Sequence, residues 1–180
     1  YVPVKGSKYA PDPSDVSDAV DLLLNAENPL IYAGEGVIYA GASAALKDFA
    51  ELVNAPVVTT LKAKGAFPED HPLFVGVRGD QVNHYLEKCD LLFAVGSSLS
   101  PGRFSHGIPN AVNKTSVHCT IDELHVNKTY PTAQAVIGDA KFSLEALFAE
   151  VSAKTSGNGR PPGNVASEVK SARDSAMTKY

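Results

Sequence analysis

A chain of 180 residues with 44% hydrophobic and 20% charged side chains has the length and composition of one soluble globular domain with tails. Its formal net charge of -4 and pI near 5.7 give no basic footprint for nucleic acid or an anionic membrane. No apolar run approaches the roughly 20 residues that span a bilayer, and no secretory signal is visible, so a cytoplasmic protein is expected.

The chain opens on Tyr1 in an extended, proline-bearing segment, "YVPVKGSKYAPDP", read as a linker over residues 1–13. Ser14 is placed to cap a helix in which Val16, Ala19, Val20, Leu23 and Leu24 recur at helical spacing, and "NAENP" ends it. "PLIYAG" is a short buried strand running directly into Gly34-Glu35-Gly36. "GASAALKDFAELVNA" follows as a helix with Ala45, Leu46, Phe49, Leu52 and Val53 inward, and "PVVTTL" as the next strand. "KAKGAFPEDHPLFVGVRGD" reads as a loop, leading into a short helix through "QVNHYLEKC". "DLLFAVGS", a third strand, is apolar almost throughout, which suits burial on both faces. "TSVHCTID" and "TAQAVIG" supply two more strands, and "DAKFSLEALFAEVSA" a closing helix. Residues 154–180 combine a flexible "KTSGNGRPPGN" with an amphipathic "VASEVKSARDSAM". Linkers at both ends suggest a domain, residues 14–153, taken from the middle of a longer polypeptide.

Strands alternating with helices predict an α/β domain with a parallel sheet and helices on both faces. Ligands of such sheets gather at the carboxyl ends of the strands. There the sequence places Gly34, Glu35 and Gly36, then Ser97 and Ser98, then Asp122 and Glu123, and finally Asp139. Such a set suits an adenosine diphosphate moiety. Two readings stay open: Gly34 and Gly36 contact a nucleotide, or they form a tight turn without a ligand; Asp139 is a ligand contact or a helix N-cap.

A dinucleotide fingerprint needs G-x-G-x-x-G and an acid at the end of the second strand. Tyr39 stands where the third glycine belongs, and Thr59, Thr60 and Lys62 where the acid belongs, so an ordinary NAD site is not expected. No nucleophile elbow, Walker loop or H-E-x-x-H occurs, and His71, His84, His106, His118 and His125 lack ligand spacing. Neither a catalytic residue nor a metal ligand is assigned. Cys89 and Cys119 are expected to be buried, reduced thiols.

The segments "NPLIYAGEGV", "APVVTTLKAKGAFPEDHPLFVGVRG", "CDLLFAVGSSLS", "CTIDELHVNK" and "VIGDA" follow one another in an order that resembles the central domain of thiamine diphosphate-dependent enzymes. Acetolactate synthase, oxalyl-CoA decarboxylase and benzoylformate decarboxylase are the type members, and the resemblance covers roughly residues 10 to 152. It implies a three-layer Rossmann-like domain with a mostly parallel six-stranded sheet. It implies a parent enzyme, a lyase or transferase acting on a 2-keto acid or acyl-CoA, that uses thiamine diphosphate and Mg²⁺ bound by two other domains. The missing pyrimidine- and diphosphate-binding domains would be this chain's partners, in a homodimer or homotetramer.

In the family this domain holds FAD, ADP or nothing. The resemblance carries cofactor contacts over to Gly34, Glu35, Gly36, Thr60, Leu61, Gly76, Gly79, Ser97, Ser98, Asp122, Glu123 and Asp139. Glu35 stands where acetolactate synthases have a further glycine, and Ser97-Ser98-Leu99 with a displaced Arg103-Phe104 where they have Gly-Ala-Arg-Phe-Asp. Those departures disfavour FAD and leave ADP, CoA or vestigial binding. A stand-alone nucleotide-binding module, of electron-transfer flavoprotein or transhydrogenase type, is the alternative.

Overall fold

A computed structural model describes residues 8–102 and 105–178. The opening of the first linker, the Arg103-Phe104 pair and the last two residues of the tail lie outside the described residues. Helix α1, Pro13–Asn25, starts at a proline that has no N–H to satisfy. Its cap is Asp12, whose carboxylate accepts from the Ser14 N–H at 2.8 Å and from the Ser14 hydroxyl at 2.7 Å. Ser14, expected to be the cap, therefore sits inside the first turn. A carboxylate before a proline takes the cap because it can receive both donors.

Strand β1, Pro29–Ala33, is buried throughout and lies at the centre of the sheet. It feeds a single helical turn, α2 (Gly36–Tyr39), which the periodicity did not suggest, and then α3, Ser43–Leu52. Strand β2 is Val57–Thr59, α4 is Asp80–Lys88, β4 is Leu91–Val95, β5 is Thr115–Thr120, β6 is Gln134–Ile137, and α5 is Ala140–Lys154.

Between β2 and α4 the structure corrects the expected loop. Phe74–Gly76 form a sixth strand, β3, paired in parallel with β2 through Val57 with Phe74 and Val58 with Gly76. Three residues carry too little alternation to register as a strand, and only pairing reveals it. All six strands are parallel in the order β3-β2-β1-β4-β5-β6. That is the doubly wound arrangement whose strand order reverses between β1 and β4.

Alternation along β1 divides two cores. Ile31 and Ala33 face a core shared with α1, α3 and α5, where Phe49 and Phe93 meet with ring centroids 5.2 Å apart. Leu30 and Tyr32 face a second, smaller core with Val82, Tyr85 and Leu86 of α4. Both free cysteines are buried, and burial pushes the Cys89 thiol up to about 11 and the Cys119 thiol higher still.

The segments read as linkers are fastened to the sheet. Asp139 donates its N–H to the Tyr9 carbonyl at 3.0 Å, and Pro11 is buried. At the other end α6, Val165–Met177, covers β3. Its Arg173 donates to the Phe74 carbonyl at 3.3 Å with its guanidinium 5.9 Å from the centre of the Phe74 ring. Upstream, Arg160 reaches the carbonyls of Ala26 at 2.7 Å and Val53 at 3.3 Å. No helix among the described residues is long and apolar enough to cross a membrane.

Candidate functional site

At the switch between β1 and β4 a cleft of about 520 Å³ opens on the carboxyl edge of the sheet. Four strand ends build it. Gly34, Glu35, Gly36 and Tyr39 follow β1; Thr60, Leu61 and Lys62 follow β2; Gly96 to Ser98 follow β4; and Thr120 and Ile121 end β5. The expectation thus brings Gly34, Glu35, Gly36, Thr60, Leu61, Ser97 and Ser98 to one cleft.

The other candidates lie outside it. Gly76 and Gly79 bracket the turn from β3 into α4. Asp122 and Glu123, expected among the cofactor contacts, do not line it. Asp122 instead accepts from the Leu124 N–H at 3.0 Å and stands 3.4 Å from the His125 ring, because a short polar side chain before a tight turn is spent on its free amides. Asp139 accepts from the Lys141 N–H at 3.0 Å, so it is the N-cap of α5.

The glycines of the first loop are explained by backbone contact. The Gly34 N–H donates to the Val95 carbonyl at 2.9 Å, and the Gly36 N–H to the Gly96 carbonyl at 2.8 Å. A Cβ on Gly34 would stand 2.4 Å from the Gly96 oxygen, and one on Gly36 2.8 Å from the Gly96 Cα. These amides tie β1 to β4 and are not donors for a phosphate. Helix α2 is only four residues long, too short to present an array of free amides. Glu35 pairs with Lys62 at 3.3 Å across the mouth of the cleft, so its charge is offset. The residues present therefore fit a diphosphate cradle poorly at this loop.

Deeper in lies a pair 74 residues apart that no motif or spacing signals. The Tyr32 hydroxyl lies 3.0 Å from His106 Nδ1, and His106 Nε2 lies 2.8 Å from the Val77 carbonyl. A carbonyl can only accept, so Nε2 carries the proton and Nδ1 accepts from Tyr32. Burial pushes the Tyr32 phenol up to about 12 and holds His106 below its ordinary value, with the Arg78 charge adding to the latter. His118, buried on β5, donates from Nε2 to the Ser97 carbonyl at 2.8 Å and shapes the loop after β4. Burial lowers it too, with His125 adding to the effect.

Both histidines bind protons more weakly folded than unfolded. Between the depressed folded value and the ordinary value near 6.5 the unfolded chain holds more protons, so stability falls as pH falls through that window. The urea midpoint is expected to drop between pH 7.5 and 5.5, before carboxylates titrate, and His106→Gln is expected to flatten the fall. An unchanged midpoint over that range would refute this.

A family described as the central domain of thiamine pyrophosphate enzymes matches residues 16–147. The acetolactate synthase large subunit of Parasynechococcus marenigrum is 37% identical over 168 residues, covering 84% of this chain and 27% of that protein. The glyoxylate carboligase of Escherichia coli O157:H7 is 34% identical over 172 residues, covering 90% of this chain and 28% of that protein. The crystal structure of benzoylformate decarboxylase from Polynucleobacter necessarius superposes with a TM-score of 0.71 over 91% of this chain and 30% of that one. At 22% identity that likeness establishes the fold. The chain spans about a quarter of the length of the curated relatives it matches.

Proposed function

The chain belongs to the thiamine pyrophosphate enzyme central-domain family, and from that premise we propose that it is the middle domain of a larger thiamine diphosphate- and Mg²⁺-dependent enzyme. The parent is a lyase or transferase acting on a 2-keto acid or acyl-CoA, of acetolactate synthase-like type, cytoplasmic, and a homodimer or homotetramer. The observation that carries this reading is the family match over residues 16–147 in a chain spanning about a quarter of its relatives. Residues 14–153 are the domain in this reading, and 1–13 and 154–180 connect it to the domains on either side. The fastened segments at residues 9–12 and 160–177 are then the anchored ends of those connections.

Thiamine diphosphate supplies the carbanion-stabilising chemistry when bound, and the groups that hold it belong to the other domains. Among the described residues no cluster of three or more His, Cys, Asp or Glu could hold a metal ion. What this chain contributes is a rigid spacer whose two cores fix its carboxyl edge. Calorimetry is expected to show thiamine diphosphate binding with Mg²⁺ by the parent and none at micromolar affinity by the 180-residue chain. Tight binding by the chain alone, or a full gene encoding no further domain, would overturn the reading.

The cleft is proposed to bind an adenine nucleotide weakly at best, ADP or CoA ahead of FAD, with Lys62 supplying the charge toward phosphate. Glu35 holds that ammonium at 3.3 Å. Glu35→Gln is therefore expected to raise ADP affinity by a factor of up to about five, the worth of one exposed ion pair. Lys62→Ala is expected to abolish the gain. Stoichiometric FAD binding with flavin absorbance would reverse the ranking.

A further inference from the structure

We propose that a second cavity, at the amino edge of the sheet, binds a short-chain monocarboxylate through the Arg160 guanidinium and the Tyr85 hydroxyl. It lies at the other end of the strands from the nucleotide cleft and is independent of it. The cavity measures about 140 Å³ and sits where Pro29 and Leu30 open β1 and Pro56 leads into β2, with Pro161 and Val165 closing it from the carboxyl-terminal segment. At about 30 Å³ per water it has room for roughly five non-hydrogen atoms.

Two groups in its lining lack the partners that burial calls for. Arg160 is half-buried and forms no ion pair among the described residues. Its guanidinium donates to the carbonyls of Ala26 and Val53, just past the ends of α1 and α3, which leaves three of its five N–H groups without a protein acceptor. Asp90 acts on it only at longer range, because both carboxylate oxygens are taken by main-chain N–H groups, of Glu27 at 2.7 Å and Asn28 at 2.8 Å. Tyr85 of α4 is 6% exposed, and its hydroxyl has no hydrogen-bond partner among the described residues. Burial, with the Glu168 charge adding to it, pushes this phenol up to about 12, so it keeps its proton at neutral pH and can donate. Idle N–H groups of a cation and an idle buried O–H around one cavity call for an acceptor that carries negative charge.

The rest of the lining selects the class. A planar carboxylate takes two parallel bonds from a guanidinium, and Leu30, Pro56 and Val165 give an alkyl chain an apolar wall. The volume is too small for a nucleotide. Of the nearby carboxylates, Glu168 is offset by Lys88 at 3.1 Å, and Glu27 is exposed, where water screens it. Lys88 and Glu168 are themselves 41% and 50% exposed, so the cavity reaches solvent beside them. A bound carboxylate would bridge Arg160, upstream of α6, to Tyr85 on α4, and so fasten the carboxyl-terminal segment to the sheet.

Titration of the 180-residue chain with sodium propionate, followed by amide NMR shifts, tests this. Saturable shifts at Tyr85, Val165 and their neighbours are expected, with a dissociation constant on the order of 1 mM. Sodium chloride of equal ionic strength is expected to leave those amides in place, and propionamide, of the same shape without the charge, to bind about ten-fold more weakly or not at all. Tyr85→Phe keeps the ring and is expected to weaken propionate about ten-fold, the worth of one hydrogen bond to a charged group, without lowering the melting point of the unliganded chain. Arg160→Gln is expected to weaken binding further, but it also gives up the bonds to Ala26 and Val53, so Tyr85→Phe is the deciding variant. Equal responses to propionate and to chloride or propionamide overturn the proposal, as does full propionate affinity in Tyr85→Phe. A lower melting point for unliganded Tyr85→Phe overturns it as well, because the hydroxyl would then be serving the fold.

Discussion

Phe49→Ala is expected to destabilise the chain by about 3–5 kcal/mol, a large share of the 5–15 kcal/mol that holds a typical domain together. Phe49 lies on α3 and Phe93 on the central strand β4, both without solvent exposure, their rings tilted with centroids 5.2 Å apart. Truncation removes the apolar area of one ring and leaves a cavity that β4, hydrogen-bonded on both sides, cannot close. It also removes the aromatic contact, worth about 0.5–1.5 kcal/mol beyond area. Phe49→Leu keeps most of the volume and is expected to cost well under half as much. Urea unfolding of the three proteins with a common slope measures this, and a loss below about 1 kcal/mol for the alanine variant would show that the site collapses freely.

Gly34→Ala is expected to cost about 3 kcal/mol, the upper end for an overpacked site, although it adds one methyl group. The added Cβ would stand 2.4 Å from the Gly96 oxygen, 2.6 Å from the Ser97 Cα and 2.7 Å from the Gly96 carbonyl carbon. All three are backbone atoms of the neighbouring strand's loop, so relief requires separating β1 from β4 and giving up the bond from Gly34 N–H to Val95. Gly96 completes the contact from the other side: it has φ +62°, and a Cβ there would lie 2.7 Å from the Val37 nitrogen. Gly107→Ala is the control, because its Cβ would meet nothing within 4 Å and no positive φ is involved. That change is expected to be neutral or slightly stabilising. If Gly34→Ala melts with the parent chain, the glycine is not there for strand packing and a ligand role regains weight.

Much of the fold was legible because its signals are local. The apolar runs of β1 and β4, the helical spacing in α1, α3 and α5, and the alternation of strands with helices are repeats of 2 and 3.6 residues that any short window contains. The order of five segments was enough to mark the family, which the match over residues 16–147 bears out. The capping of α5 by Asp139 was one of two readings left open, and geometry chose it. Strand β3 escaped because its evidence is pairing with β2 and the cover given by α6, neither of which leaves a mark within three residues.

By itself the sequence determined the α/β class, the strand and helix faces and the edge at which the loops gather, since burial and periodicity are written in neighbouring residues. Which of those loops touch was decided only by the tertiary structure. Pairings such as Tyr32 with His106 and Glu35 with Lys62 join residues 74 and 27 positions apart, and nothing in either segment alone specifies its partner. The same holds for the glycines. Gly34-Glu35-Gly36 reads identically whether its amides face a phosphate or a neighbouring strand, and the choice was made by the approach of the β4 loop, whose carbonyls are nearer and permanent.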